Sequence, residues 1–274
     1  SYEIIVVDNA SSDGSVDMLA REYPRVQCIA NAENRGFGAA NNQGFAVMKG
    51  KYAMLINTDA VLTEGAVEKL WHFAEANPRA AIVCGQLLNA DGSKQNSIAA
   101  FPTLLTLCLN TSLLEYLFPG RYPSKRYDHR EPLEIESAIG ACMMVRGQAL
   151  TEVSCFDDRY FFFFEETDLA FAMRRAGWGI YQVPDAHIYH FQGKSIGHNA
   201  RSRIEFYRSR YQFLRKWHGS TYYRAAAAVI FLRLLVDTLL NAAGVVFTLG
   251  LSKALRRKLV VYSRILRWHF EKKQ

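Results

Sequence analysis

The sequence predicts an α/β fold: a mostly parallel sheet covered on both faces by helices, followed by a C-terminal helical appendage. Three observations carry this. Over residues 3–88 short apolar runs alternate with helical patterns, the rhythm of parallel strands joined by crossover helices. Half of the 274 residues are hydrophobic, enough for one large domain plus an appendage. The charge is also segregated: residues 1–200 carry 17 basic and 23 acidic side chains, net −6, and residues 201–274 carry 16 and 3, net +13. The expected division is therefore a body at 1–198 and basic, apolar helices at 199–274.

The elements follow in order. "EIIVVD" (3–8) is a buried-type strand and "GSVDMLAREY" a helix. "VQCIAN" is the second strand, followed by the helical "GFGAANNQGFAVMK". "YAMLIN" is a strand, "EGAVEKLWHFAEA" a helix, and "AAIVCGQLL" (80–88) a continuous apolar strand. The rhythm then breaks at "NADGSK", where Asp-Gly marks a turn. Residues 101–132, rich in Pro, Leu and Tyr, predict a flap or small helices. "LEIESAIGACMMV" reads as two short strands, a helix is expected over about 166–176, and "GIYQVP" and "AHIYHF" are strands.

From residue 199 the pattern is helical. "AAAAVIFLRLLVDTLLNAAGVVFTLGL" (225–251) is long enough to cross a bilayer, but Arg233 and Asp237 sit inside it, four apart and able to pair on one face. The basic "KALRRK" and a last segment with Trp268 follow. This composition predicts a helix at or partly inserted in an anionic membrane surface. The alternative is an amphipathic pair that packs on the body or makes a homodimer. Nucleic acid is not an expected partner, since no binding motif or base-stacking spacing is present. The five cysteines lack C-x-x-C spacing, which argues against a zinc site or disulfide framework and fits a reducing cytosol.

Chemistry-bearing residues stand at the strand ends, where such sheets deliver ligands. "VVDNASSDGS" offers Asp8, Asn9 and Asp13 for a ribose or base, although turn and helix-cap roles suit the same residues. In "NAENRGFGAANNQG" (31–44), Gly36 and Gly38 let backbone approach a ligand at a helix start, and Asn34 and Asn41 flank them. Asn41 stands where a dinucleotide fingerprint needs its third glycine. "LINTDA" ends in Asn57-Thr58-Asp59, and a lone carboxylate there is a handle for Mg²⁺ or Mn²⁺. In "RYFFFFEETDLAFAMRRAGW", four phenylalanines lead into Glu165, Glu166 and Asp168, and an apolar setting strengthens a carboxylate base. Acids at a helix start are equally favoured by the helix dipole. Arg174 and Arg175 either pair with acids or approach a diphosphate.

These segments in this order resemble the family-2 glycosyltransferases, with the bacterial rhamnosyltransferase-like members the nearest in pattern. The resemblance covers residues 2 to about 200. It implies the type A glycosyltransferase fold, a Rossmann-like nucleotide-binding sheet, and inverting sugar transfer from a nucleotide diphosphate donor, UDP- or dTDP-linked. It implies nucleoside contacts from Asp8 and Asp13, and Asn9, Asn34, Gly36, Gly38, Asn41 and Asn57 complete the expected nucleotide-binding set. A divalent ion, Mg²⁺ or Mn²⁺, is implied at Asp59 and His190, with His187 structural. Glu166 matches the family's base, with Asp168 and Glu165 behind it. The expected acceptor is a lipid-linked saccharide or surface glycan at the cytoplasmic face of the bacterial inner membrane. Family members have a strand and helix ahead of the one at 3–8, so the resemblance implies that these are missing here. Asn57 replaces the first acid of the family's metal motif, and Glu166 stands where Asp is usual. A nucleotidyltransferase, which would need a basic phosphate-grasping loop, and a non-catalytic glycan- or membrane-binding scaffold are the rival readings.

Overall fold

The computed structural model describes residues 1–123, 129–191 and 200–271. Contacts divide the chain into two units. One is Ser1–Phe101 with Phe118–Gln192; the other is Pro102–Leu117 with Gly193–Gln274. The expected boundary at 198/199 lies outside the described residues. One correction is nonetheless clear, because the segment 102–117 belongs with the C-terminal helices rather than with the body.

In the first unit the strands are β1 (Ile5–Asp8), β2 (Gln27–Ala30), β3 (Tyr52–Ile56), β4 (Ala60–Leu62), β5 (Ala80–Leu88), β6 (Ile98–Ala99), β7 (Leu133–Glu134), β8 (Ser137–Ala138), β9 (Cys142–Arg146) and β10 (Gly179–His190). Its helices are α1 (Ser15–Glu22), α2 (Phe37–Val47), α3 (Ala66–Ala76), α6 (Gly147–Glu152) and α7 (Glu165–Arg175). The second unit holds α4 (Leu104–Cys108), α5 (Thr111–Leu117), α8 (Ala200–Trp217), α9 (Ser220–Phe247) and α10 (Lys253–Glu271).

The α/β architecture with flanking helices is as expected, but the main sheet is mixed rather than mostly parallel. Its order is β3-β9-β5-β10-β4, with β7 also pairing β10. β3, β5 and β10 keep one direction, as the alternating rhythm requires. The return strand β9 runs between β3 and β5 and opposes both. β4 and β7 also run antiparallel to β10. β1 and β2 form a separate parallel pair, and β6 with β8 another small sheet. In the β1–α1–β2 segment only Asp8 is buried.

The core explains the sequence of β5. All nine of its residues are buried, because β9 and β10 flank it and helices cover it. Leu70 and Ala74 of α3 pack on Val83, Met144, Val183 and Ala186. Arg146, buried at the end of β9, donates to the Ala74, Asn77 and Ala80 carbonyls and so satisfies the C-terminal end of α3. The two strands expected at 179–184 and 186–191 are one, β10, whose register slips between Val183 and His187. Pro184 cannot donate to the ladder and sits in this bulge. Ala186 is thereby pushed toward β5, where a Cβ on Gly85 would overlap its carbonyl.

The C-terminal unit has its own core. Leu107, Tyr211, Leu214, Ala226, Ile230, Leu234 and Ile265 are buried together. Leu104 donates its N–H to Tyr222, and Arg233 donates to the Leu107 carbonyl at 3.0 Å. That bond corrects the expected pairing with Asp237: Arg233 is turned to the end of α4, whose last carbonyls lack helical partners. It also shows why 102–117 groups with this unit.

Candidate active site

Helix α7 starts from a strained turn. Phe163 and Phe164 both adopt left-handed backbone angles, φ 68° and 72°. That conformation costs a residue with a side chain roughly 1–2 kcal/mol, and such strain gathers at functional sites. The turn delivers three acids to the first turn of α7. Glu165 and Asp168, three apart, face inward at 4% and 2% exposure, while Glu166 stays partly accessible. Asp168 accepts a hydrogen bond from the buried Tyr160 hydroxyl at 3.1 Å. Burial, then the Asp168 charge, pushes the Tyr160 hydroxyl far up, so it stays a donor. Asp168 is thus built into the core, whereas it was expected as a reserve catalytic acid. Burial, then the neighbouring Glu166 charge, raises Glu165 well above the ordinary carboxylate range, and its Oε2 has no hydrogen-bond partner. Burial pushes Glu166 up to about 7. Among the three acids, Glu166 alone combines accessibility with a basicity suited to taking a proton near neutral pH.

The start of α2 lies directly against this turn. A Cβ on Gly36 would overlap the Phe161 carbonyl oxygen, which accepts the Phe37 N–H at 3.3 Å. A Cβ on Gly38 would meet Phe156 at 3.2 Å and Glu165 at 3.6 Å. The two glycines therefore answer a close approach of the protein's own backbone and side chains. The polar residues around them are similarly engaged. Asn9 donates to the Gly36 carbonyl and accepts from Asn31, which is also bonded to Gln43. Asn34 accepts the Gly36 N–H, and Asn41 donates to the Phe37 carbonyl one turn back. Asp8 accepts the Ser11 N–H in a turn. Asp13 accepts the Ser15 hydroxyl and N–H, which hold its carboxyl below the usual range, so it serves the start of α1. The structure thus gathers Asn9, Asn34, Gly36, Gly38 and Asn41 about one helix start and gives each a structural partner.

Asp59 and His190 meet although 131 positions separate them. β4 pairs antiparallel with the end of β10, which sets Ala60 opposite His190. His190 Nε2 then lies 3.3 Å from Asp59 Oδ1. Gln95 had no signal in the sequence; only the fold reveals its role. Its side-chain nitrogen donates to the His190 carbonyl, so its Oε1 must accept from His190 Nδ1, 3.0 Å away. The Gln95 bond fixes the ring so that Nε2 points toward the carboxylate. An imidazole nitrogen and a carboxylate oxygen so placed are ligand types that suit a divalent cation. Metal bonds of about 2.1 Å at roughly right angles would place two ligand atoms about 3.0–3.3 Å apart, so the pair fits two adjacent positions of a divalent ion. Among the described residues no group of three or more such ligands occurs, which leaves the other positions to oxygen atoms of a ligand or water. His187 contributes its carbonyl to Thr63, consistent with a structural role.

One short segment joins the parts. A Cβ on Gly140 would touch the Phe37 ring at 3.7 Å and Glu166 Cβ at 3.8 Å. The adjoining Ala141 carbonyl accepts the Asn57 N–H at 2.9 Å, two residues before Asp59. The helix start, the acids and the Asp59–His190 pair are therefore assembled around residues 140–141. Arg174 is not among them: it pairs with Glu134 at the other end of α7. An open concavity of about 480 Å³, bordered by Lys94, Arg130, Asp185 and His187, lies elsewhere and includes none of these acids.

Comparison with solved structures shows the class. The chain matches, at 17% identity and a TM-score of 0.54, the mannosyltransferase PcManGT from Pyrobaculum calidifontis, solved with GDP-Man and Mn²⁺; the match covers 98% of this chain and 77% of that one. It also matches GalNAc-T7, solved with UDP, GalNAc and Mn²⁺, at 13% identity and a TM-score of 0.52, over 78% of this chain and 45% of that one. The fold is that of the type A glycosyltransferases. Residues 1–154 match the model of glycosyl transferase family 2, and the chain belongs to that family. It is 29% identical over 231 residues to the N-acetylglucosaminyl-diphospho-decaprenol L-rhamnosyltransferase of Mycobacterium tuberculosis, covering 79% of this chain and 75% of the relative. It is 24% identical over 198 residues to rhamnosyltransferase WbbL of Escherichia coli K12, covering 69% and 73%.

Proposed function

We propose that the protein transfers a sugar, rhamnose first among candidates, from a nucleotide diphosphate to a lipid-linked saccharide at the cytoplasmic face of a bacterial inner membrane, with inversion at C1. The observation that carries the reading is the assembly of Glu166, the α2 start and Asp59–His190 around residues 140–141. The rhamnosyl donor and lipid-linked acceptor are suggested by the two relatives.

Glu166 is the base. An acceptor hydroxyl is a weak nucleophile, and a carboxylate raised to about 7 takes its proton as the oxygen attacks C1. Asp59 and His190 would hold Mg²⁺ or Mn²⁺, which when bound offsets charge on the departing diphosphate. Gln95 keeps His190 Nε2 directed to that place. Glu165, its Oε2 without a hydrogen-bond partner and its carboxyl raised by burial and then by the Glu166 charge, holds its proton more tightly than a free carboxylate beside the base. Asn57, Asn34 and Asn9 are proposed to meet the nucleotide. Asp8 holds the turn that carries Asn9, and Asp13 holds the start of α1.

The test is transfer from a panel of UDP- and dTDP-sugars to a lipid diphosphosaccharide, with Mn²⁺ or a chelator. Loss of transfer in Glu166→Gln and Asp59→Ala, with folding retained, supports the reading. Wild-type transfer by Glu166→Gln would remove the base assignment, and donor binding without any transfer would favour a scaffold.

A further inference from the structure

The C-terminal unit carries an apolar surface that none of its own described helices covers. Leu232, Val236, Leu239, Leu240, Val246 and Phe247 recur along one side of α9 and are 44–93% exposed. The opposite side is engaged: Ala226, Ile230 and Leu234 are buried in the unit's core. The stripe runs into an ordered turn, where Leu249 N–H bonds the Val246 carbonyl and Gly250 N–H the Val245 carbonyl. Leu249 and Leu251 stand out from this turn at 86% and 82% exposure. Lys253, Arg256, Arg257 and Lys258 follow at once, all exposed. Helices α9 and α10 close tightly behind them, since a Cβ on Gly244 would lie 3.1 Å from Leu255. The cations are therefore level with residues near Gly244, and beyond that level the exposed large side chains are apolar.

We propose that this hairpin docks in a single leaflet of an anionic bilayer, with the 246–251 turn, including Val246 and Phe247 at the end of the α9 stripe, in the acyl region and the basic cluster among the headgroups. From Gly244 to the turn, five residues rise about 8 Å. That matches the 5–10 Å depth of an interfacial helix and falls far short of a hydrocarbon core of about 30 Å. By length and a mean hydropathy of 1.9, α9 alone could span. A spanning pose would strip Ala226, Ile230 and Leu234 from their core. It would also break the Arg233 bond to the Leu107 carbonyl, with the cation left in lipid. A second copy is a poorer occupant, because it would bring the same exposed cations together. Anionic headgroups complement them.

The inference rests on the membrane-borne acceptor proposed above, and the experiment separates the two. The full chain is floated with phosphatidylglycerol-containing vesicles and with pure phosphatidylcholine. The expected result is binding to the anionic vesicles alone, release by alkaline carbonate, and at least a tenfold loss in Phe247→Asp/Leu251→Asp with an unchanged thermal melt. Arg256→Glu/Arg257→Glu should weaken binding and flatten its salt dependence. Should the aspartate pair melt early, Phe247→Trp is substituted: its added fluorescence should be quenched more by shallow than by deep brominated lipids. Resistance to carbonate, binding indifferent to residues 247 and 251, or a dimer in light scattering that those substitutions dissolve would overturn the single-leaflet hairpin. No vesicle binding by the wild type would overturn the membrane location as well.

Discussion

Glu166→Gln should abolish transfer and make the fold more stable. Burial lifts the Glu166 carboxyl from 4.5 to about 7. The folded state therefore holds that proton more tightly than the unfolded chain. Ionising the group costs stability, a cost absent below about pH 4.5, growing up to about pH 7 and constant above it. The rise from 4.5 to about 7 amounts to about 3 kcal/mol at pH 8. Burying the replacement amide returns about 1 kcal/mol of this, leaving a gain of about 2 kcal/mol. For a unit of this size that is about 4–8 °C in Tm. Calorimetry of both proteins at pH 8 and pH 5 should show the gap at pH 8 and its near-disappearance at pH 5. Wild-type kcat/KM should fall about tenfold per unit below pH 7, and the variant should lose about 10²–10⁴ at pH 8. A variant no more stable than wild type at pH 8, or a gap that ignores pH, would refute the buried-base account.

Gln95→Leu should weaken Mn²⁺ binding, followed by electron paramagnetic resonance, by about 10–100-fold; Gln95→Glu, which still accepts from Nδ1, should retain most of it. Asp59→Ala should leave no Mn²⁺ signal at the same concentration while the thermal melt without metal changes little. Gly36→Ala combines a positive φ with overlap on the Phe161 carbonyl and should cost about 2–4 kcal/mol by denaturant titration. Leu70→Ala, fully buried between α3 and the sheet, should cost about 2–5 kcal/mol in the same assay.

Much of this was legible in the sequence, and where it failed the reasons are physical. The alternation of strand and helix located β1, β2, β3 and β5 and α1 to α3, because period and punctuation are local; the three-residue β4 gave no such signal. The mixed sheet was not legible, since no local signal says that β9 enters between β3 and β5. Nor could periodicity show that 102–117 completes the core of the C-terminal helices. The site divides in the same way. Asp59 and His190 were expected together and are together. The side chain of Gln95 acts through β5–β10 pairing, which spans about a hundred positions. Gly36 and Gly38 were read as places where a ligand approaches the backbone. What approaches them is the Phe156 ring and the turn before Glu165, a long-range contact invisible along the chain.

That contact has a mechanical consequence. The first residues of α2 and the turn that aims Glu166 touch through backbone with no side chain between them to yield. A displacement of one by a tenth of a nanometre must be taken up by the other or by the two left-handed phenylalanines. A shift at the helix start is therefore passed to the turn that carries the carboxylate, and the two move as one lever.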